Sequence, residues 1–530
     1  MAFRIYNTLT KSLEEFRSVH ADGEVTFYSC GPTVYDDAHI GNFRSFLNAD
    51  TLRRALELHG MRVKHVMNIT DVGHMTEDDA ADGGGEDKMA VAGRRIAEAK
   101  KSGKLPAGSE IDPANPYAVA EFYAQRFLED ARELGLKVAI EERHHPELMP
   151  RPTRCVPQMI ALVEQLVARG HAYVASDGVV YFSVQSFPAY GRLSGNTLDN
   201  LREGEGGRIS AEHQAVKRHP ADFMLWKPDP THLMRWPSPW GEGYPGWHLE
   251  CSAMARMLLG DEIDLHSGGE DNIFPHHECE VAQSCCATGR PHFARVWFHT
   301  RHLQVEGEKM SKSKGNFFTA RDLFAKGVTP AALRLELVRT HYRTNSNFTM
   351  QGLRDCQRMI DRWAAARAVL AEHSASASPN AAHVERSASA SPNAALPERS
   401  ASASPNAAQP GPFQRALVEF KDAVGDDLNL ARAMAALNTA IGEAPAGDAR
   451  AELAALDAMN SVLGVFERNT ALASAANDDL AAKVEVLLER RKNARAAKDW
   501  AESDRVRDEL TALGVKIKDG PQGTTWERAV

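Results

Sequence analysis

Between Val25 and His74 the chain reads strand, loop, helix, strand: an apolar start, a turn at Gly31-Pro32, a helical stretch from about Phe43 to His59, then the apolar run Val63 to Ile69. This βαβ pattern constrains the fold more than any other feature, because it calls for a parallel sheet with ligands at the strand C-termini. From Gly246 to Thr319 short apolar strands are expected to alternate again with Gly-rich turns, resuming the sheet after an insertion at about 115–245. That insertion holds helical stretches and the strand-like run Gly178-Val179-Val180-Tyr181-Phe182, and the Gly- and acid-rich segment Glu77 to Asp87 reads as a loop. Beyond Pro330, Ala, Leu and Arg at helical spacing predict a helix bundle over 331–372 and 413–475, followed by a small terminal unit over 476–530.

The unit Ser-Ala-Ser-Ala-Ser-Pro-Asn-Ala-Ala starts at Ser374, Ser387 and Ser400, a period of 13 residues. It is polar, carries proline and lacks an apolar face, so 373–412 is expected to be a disordered linker and not a solenoid. At 530 residues the chain exceeds a single domain, and 43% hydrophobic with 25% charged residues is an ordinary globular composition. A net charge of -9 gives no global support for a nucleic-acid partner, so any basic surface must be local. Seven scattered cysteines do not form a disulfide framework and fit a reducing cytosol. The first residues lack a signal-peptide apolar region, and no apolar run reaches ~18 residues, so a cytoplasmic protein with no membrane span is expected.

Two separated signatures carry chemistry. His39-Ile40-Gly41-Asn42 opens a helix, where backbone N–H groups favour phosphate, Gly41 permits close approach and His39 donates to a phosphate oxygen. Alone, four residues are a weak signal, and a turn with a partly exposed histidine explains them as well. Lys309-Met310-Ser311-Lys312-Ser313, followed by Lys314-Gly315-Asn316, offers lysines and hydroxyls that suit a polyphosphate, against the plainer reading of a solvated charge run. Together the pair resembles the class I aminoacyl-tRNA synthetases, whose HIGH and KMSKS motifs occur in this order on a Rossmann-like sheet.

A third group is a candidate metal constellation. His276 and Glu280 are four apart, which puts imidazole and carboxylate on one helix face, and Cys251 offers a thiolate from the preceding element. By spacing alone His277 or Cys279 are equal candidates, as is a helix with surface histidines and buried cysteines. His144-His145 reads as a surface loop, since Pro146, Pro150 and Pro152 make that region irregular. The blocks Cys30-Gly31-Pro32-Thr33-Val34-Tyr35-Asp36, Trp247-His248-Leu249-Glu250-Cys251 and Pro275-His276-His277-Glu278-Cys279-Glu280 resemble those of cysteinyl-tRNA synthetases. Departures from the usual family text stand at Val72-Gly73-His74-Met75, Ser267, Glu270 and Cys279.

The resemblance implies an α/β protein. Its Rossmann-like parallel-sheet catalytic domain would span 1–330 with an inserted connective domain, ahead of an α-helical bundle and a small C-terminal anticodon-binding domain. It implies zinc ligands Cys30, Cys251, His276 and Glu280, and substrate contacts at Gly31, Thr70, Trp247, His266 and Asp271. It implies an ATP site at His39, Gly41, Asn42, Lys309, Met310, Ser311, Lys312 and Ser313, with His39, Asn42, Lys309 and Lys312 catalytic. The expected substrates are L-cysteine, Mg2+-ATP and tRNA(Cys), and a monomer is expected.

The tail supplies the missing basic patch. Arg490-Arg491-Lys492-Asn493-Ala494-Arg495-Ala496-Ala497-Lys498 has five basic residues and no acid and runs up to Trp500, which suits stacking on loop bases; a solvated helix face with Trp500 as core is the plainer reading. The ending Gly520-Pro521-Gln522-Gly523-Thr524-Thr525-Trp526 is similar to the family's anticodon-binding end, and Arg495, Trp500, Asp504 and Asp519 are the expected RNA contacts. Two rivals remain: a cysteine ligase acting on an amino sugar, which has no use for the basic tail, and a non-catalytic zinc-bearing RNA-binding protein, which leaves the lysine loop unexplained.

Overall fold

The computed structural model describes residues 2–74, 86–102, 110–196, 216–311, 315–376, 409–444, 446–469, 471–497, 499–513, 515–520 and 523–528. Lys312, Ser313, Met75 and the repeats over 377–408 lie outside the described residues. Four strands, β1 (Glu24–Ser29), β2 (Arg62–Met67), β3 (Ile263–Gly269) and β4 (Ala294–Thr300), form a parallel sheet in the order β4-β3-β1-β2. The expected βαβ unit and the resumption of the sheet after an insertion are both present. Chain direction across the sheet reverses between β1 and β3, so a crevice opens at their C-terminal ends. Register fixes what meets there, since Tyr28 pairs with His266, Ser29 with Ser267 and with Met67, and Thr300 with Gly269.

Helix α1 (Ile40–Leu58) begins with a reciprocal cap in which His39 Nδ1 accepts from Asn42 N–H and Asn42 Oδ1 accepts from His39 N–H, both at 3.2 Å. Helix α2 (Pro116–Glu133) packs on it, with Phe127 stacked at 5.7 Å on Phe43 and edge-on at 5.6 Å to Phe46. Thus α2 belongs to the main core although it falls inside the expected insertion. A separate core begins at Val156, where the helix Val156–Ala168 lies against a four-stranded antiparallel sheet of Ala172–Val174, Val180–Phe182, Phe223–Pro228 and Gly243–Pro245.

One expectation fails after Gly246. Residues Trp247–Leu259 form a helix, α3, and not a strand. The run Trp-His-Leu-Glu-Cys-Ser-Ala-Met-Ala-Arg-Met-Leu-Leu has no β-branched residue, and its buried positions Cys251, Met254 and Ala255 recur at helical spacing. A kinked segment, Ile273–His277, extended at Phe274, then leads into α4 (Glu278–Thr288). The short strands Glu308–Lys309, Leu303–Val305 and Ser346–Phe348 form a small sheet that presents Lys309, and α5 (Ala320–Ala325) follows with Thr319 as its cap.

The expected bundle consists of Pro330–Val338, Met350–Ser376, Pro412–Val424, Leu430–Gly442 and Ala449–Leu463. Buried Arg334 ties it to α1, donating to Asp50 Oδ2 at 2.6 Å, Leu463 O at 2.6 Å and Leu134 O at 3.0 Å. Beyond the bundle, Ala471–Ala496 and Trp500–Ala512 pack with the hairpin Val515–Gly520/Gly523–Arg528 around Val484, Val506, Leu510 and Val515.

Candidate active site

At the C-terminal edge of the sheet a cavity of about 550 Å³ is lined by Cys30 and Gly31 after β1, His39, Gly41 and Asn42 at the start of α1, and Asp271 after β3. Lys309 and Met310 complete the same wall, so the two halves of the nucleotide signature share one space. A Cβ at Gly41 would lie 2.8 Å from Met310 Cε and 2.9 Å from the His39 ring, so glycine leaves room for both side chains where they stand. The backbone continues the contact, with Ile40 N–H donating to Phe318 O at 3.0 Å and Phe317 edge-on to the His39 ring at 5.3 Å. Asn316 holds the lysine loop, accepting Ser311 N–H at 2.8 Å and donating to Lys309 O at 3.3 Å.

Gly31 is also dictated by crowding. A Cβ there would meet Asn68 O at 1.8 Å, and Gly31 N–H donates to Asn68 Oδ1 at 2.9 Å. Thr70 does not line the cavity; its buried hydroxyl accepts from Asn68 Nδ2 at 2.9 Å and donates to Glu250 at 3.3 Å. The unusual His74 is buried beside it, 2.8 Å from Glu250 Oε1, which gives that buried carboxylate a partner.

Behind Cys30 lies a buried cluster. Its Sγ is 3.8 Å from Cys251 Sγ on α3, 3.3 Å from His277 Nε2, and 3.8 Å from Glu280 Oε1 on α4, and His276 Nε2 is 3.2 Å from the same oxygen. Two overlapping sets bring one ligand atom from each residue within 4.8 Å of all the others: Cys30, Cys251, His276 and Glu280, and Cys30, His266, His277 and Glu280. Tetrahedral bonds of about 2.3 Å to sulfur and about 2.0–2.2 Å to nitrogen or oxygen imply ligand separations of about 3.8 Å and about 3.4 Å, and the separations within both sets lie near these values. Cys279 belongs to neither set; its thiol lies 3.5 Å from the Tyr190 hydroxyl in the core of the inserted sheet.

The expected substrate residues divide. Asp271 is exposed on the cavity, and the Trp247 ring lies 4.5 Å from that of His276. His266 lies behind the cluster, stacked at 4.5 Å on Trp297 with Nε2 3.0 Å from Glu280 Oε2. Further imidazoles continue outward: His248 Nδ1 is 3.0 Å from His276 Nδ1, and His277 Nδ1 is 2.7 Å from His299 Nε2, whose Nδ1 is 2.8 Å from the Thr8 hydroxyl. Such contacts orient ligands and fix their tautomers.

Charge is concentrated in the cluster. The hydrogen bond from Cys30, helped by His276 and opposed by burial, pulls the Cys251 thiol down to about 7. Burial would lower His276, but Cys251 and Glu280 outweigh it and push the imidazole up to about 10. Burial would raise Glu280, but His266 and His276 hold it down to about 2. Cys30 is pushed up by burial and by Cys251. Thiolate, imidazolium and carboxylate therefore stand together, and a bound cation would take the place of the imidazolium proton.

Thr300, Arg301 and His302 line the cavity without having been singled out in the sequence. Their signal was position, a polar triple at the C-terminal end of a parallel strand. Arg301 pairs with Glu270, and its carbonyl accepts from buried Arg44, which also donates to Leu337 O at 2.7 Å and Thr344 O at 2.9 Å. In the C-terminal unit Arg495 and Asp504 are exposed, as is Trp500 at 59%, so Trp500 is not core. The Asp519 side chain lies outside the described residues.

A parallel sheet whose edge gathers both nucleotide signatures over one cavity defines a class I tRNA synthetase, and residues 16–358 match the family described as the tRNA synthetases class I (C) catalytic domain. Residues 477–526 match the cysteinyl-tRNA ligase anticodon binding domain. Similar curated proteins include the Cysteine–tRNA ligases of Salinibacter ruber, 42% identical over 99% of this chain and 98% of that protein, and Symbiobacterium thermophilum, 40% identical over 100% of both. That of Thermus thermophilus is 38% identical over 99% of each. Among solved structures, a LeuRS of Agrobacterium radiobacter K84 in a ternary complex with tRNA and LeuAMS shares the fold, with TM-score 0.53 and 10% identity over 85% of this chain and 84% of that one. The chain belongs to the cysteinyl-tRNA ligase family.

Proposed function

We propose that this chain joins L-cysteine to the 3′ end of tRNA(Cys), using ATP supplied as its magnesium complex. In the first step the carboxylate of cysteine attacks the α-phosphorus of ATP and pyrophosphate leaves. In the second, a terminal ribose hydroxyl of the RNA attacks the carbonyl of the cysteinyl-adenylate and AMP leaves. The observation that carries this reading is one cavity lined both by Cys30 of the thiol-and-imidazole cluster and by His39, Asn42 and Lys309.

Cys30, Cys251, His276 and Glu280 would hold zinc, and a bound zinc ion supplies a soft Lewis acid that favours a thiol over a hydroxyl. Shape alone separates such near-isosteres by only about 1–3 kcal/mol. Trp247 beside His276 would wall the amino-acid pocket and Asp271 would face the ammonium group. Thr70 and His266 would act at one remove, Thr70 by holding Asn68 and through it Gly31, His266 by fixing Glu280.

His39, Asn42, Lys309 and Lys312 would meet the charge that develops on the α-phosphate and pyrophosphate, where positioning and charge neutralisation are most of the catalysis. Gly41, Met310, Ser311 and Ser313 would complete the ATP site, and Arg495, Trp500, Asp504 and Asp519 would contact the anticodon. Such a chain would act in the cytoplasm as a monomer, and among the described residues no helix is long and apolar enough to cross a membrane. The family match over 477–526 disfavours the amino-sugar ligase, and the catalytic-domain match over 16–358 disfavours the non-catalytic protein.

The test is ATP–pyrophosphate exchange with cysteine against serine, before and after chelation, followed by charging of tRNA(Cys). Exchange should require cysteine, fall on chelation and return with zinc. Lack of cysteine-dependent exchange overturns the reading, and exchange without charging would favour the amino-sugar ligase.

A further inference from the structure

The segments carrying the two nucleotide signatures meet at His39–Thr319 and Ile40–Phe318, and both are also tied to one helix outside the cavity. On α2, Arg126 grips Asp37, two residues before His39, with Nε and Nη2 at 2.5 and 2.7 Å from the two carboxylate oxygens. One turn further, buried Asp130 accepts from Arg321 Nε at 3.1 Å. Arg321 sits on α5, directly after the lysine loop, and its Nη2 donates to Arg126 O at 2.8 Å and Glu129 Oε2 at 2.6 Å. Arg126 therefore touches both segments, its side chain on one and its carbonyl on the other. Positions 126 and 130 share a helix face, and a bidentate guanidinium–carboxylate pair fixes angle as well as distance.

None of Asp37, Arg126, Asp130 and Arg321 lines the cavity. We propose that α2 is a charged strut that sets the separation of the two signature segments, and that these four side chains are positioning residues for ATP. The inference rests on the ligase reading. Catalysis by positioning makes small displacements costly, since about 1 Å of misplacement is worth about 10²-fold in rate. The strut holds from outside what Ile40–Phe318 and Met310–Gly41 join from within.

The experiment is steady-state exchange on the full chain, with KM for ATP and cysteine measured separately in Asp37→Asn, Arg321→Gln, Arg321→Lys and the double variant Asp37→Asn/Arg321→Gln. Asp37 is partly exposed and lies off the helix, so its variant keeps the test independent of α2 folding. Expected are a roughly 10-fold rise in KM for ATP in each neutral variant, KM for cysteine within about twofold, partial rescue by lysine, and a double variant less than multiplicative because the strut is already broken once. An unchanged KM for ATP in both single variants, or equal rises for ATP and cysteine, overturns the strut. If the wild-type chain shows no cysteine-dependent exchange, the ligase reading fails; if it exchanges and the variants match it, only the strut fails.

Discussion

Cys251 and His276 divide one proton in favour of the imidazole, and this sets how the cluster takes up a metal. With His276 pushed up to about 10 and Cys30 also raised, both carry protons at neutral pH, and a dication must displace them. Zinc binding is therefore expected to release about two protons and to tighten as pH rises through neutrality. Calorimetry in buffers of different ionisation enthalpy measures this, and binding without proton release would point to other ligands. Replacing Cys251→Ser should strip the metal and depress cysteine activation beyond the roughly 10–100-fold cost of losing an outer contact. Metal content and exchange rate are the readouts, and a full zinc complement would count against Cys251 as a ligand.

At the scale of elements, α1 is the beam on which sheet, bundle and cavity are hung. Burial would raise the Asp50 carboxyl, but Arg54 and Arg334 together hold it far below the usual carboxylate range. Arg334→Met leaves that carboxylate short of a partner and two buried carbonyls unpaired, at an expected cost of about 3–5 kcal/mol read as a lowered unfolding midpoint. On β2, burial holds His65 down at about 3, while an unfolded imidazole titrates near ~6.5. Between those values only the unfolded chain binds the proton, so stability should fall as pH drops from about 6.5 towards 3. Asp50 acts lower: its contribution is intact above the unfolded carboxylate value of ~3.9 and is lost only as pH falls through its lower folded value. Urea midpoints at pH 7 and pH 5 should differ, and His65→Gln should remove part of the difference; His299, also held at about 3 by burial, supplies another part. Asp71 and Asp130, which burial raises to about 6 and about 7, act in the opposite sense, so the test is the comparison of wild type with His65→Gln, and an unchanged pH dependence in that variant would contradict the burial argument.

Across the whole molecule, a net charge of -9 leaves RNA contact to a local surface. In the C-terminal unit Arg490 is paired with Glu502 and Glu509, Lys492 with Glu489, and Arg491 is buried, so the basic run offers less open charge than its composition suggests. The exposed Trp500 then matters more, and Trp500→Ala should raise KM for tRNA in charging assays by an amount equivalent to about 1–3 kcal/mol; an unchanged value would remove it from the RNA surface. The signatures, the sheet class and the four-residue spacing of His276 and Glu280 were legible in the chain because period and local spacing survive in one dimension. Spacing left His276 and His277 both open as ligands, and each stands in one of the two sets around Cys30 and Glu280; sequence could not show that Thr70 and His266 are spent on Glu250 and Glu280. Nor could it show that Arg301 lines the cavity at the sheet edge or that α2 leaves the insertion for the main core. Cys30 and Cys251 stand 221 positions apart and meet because β3 enters the sheet beside β1, bringing α3 and α4 over its end. Strand order and register decide such meetings, and they follow from burial summed over the assembled sheet and its helices, a quantity that no local stretch of residues contains.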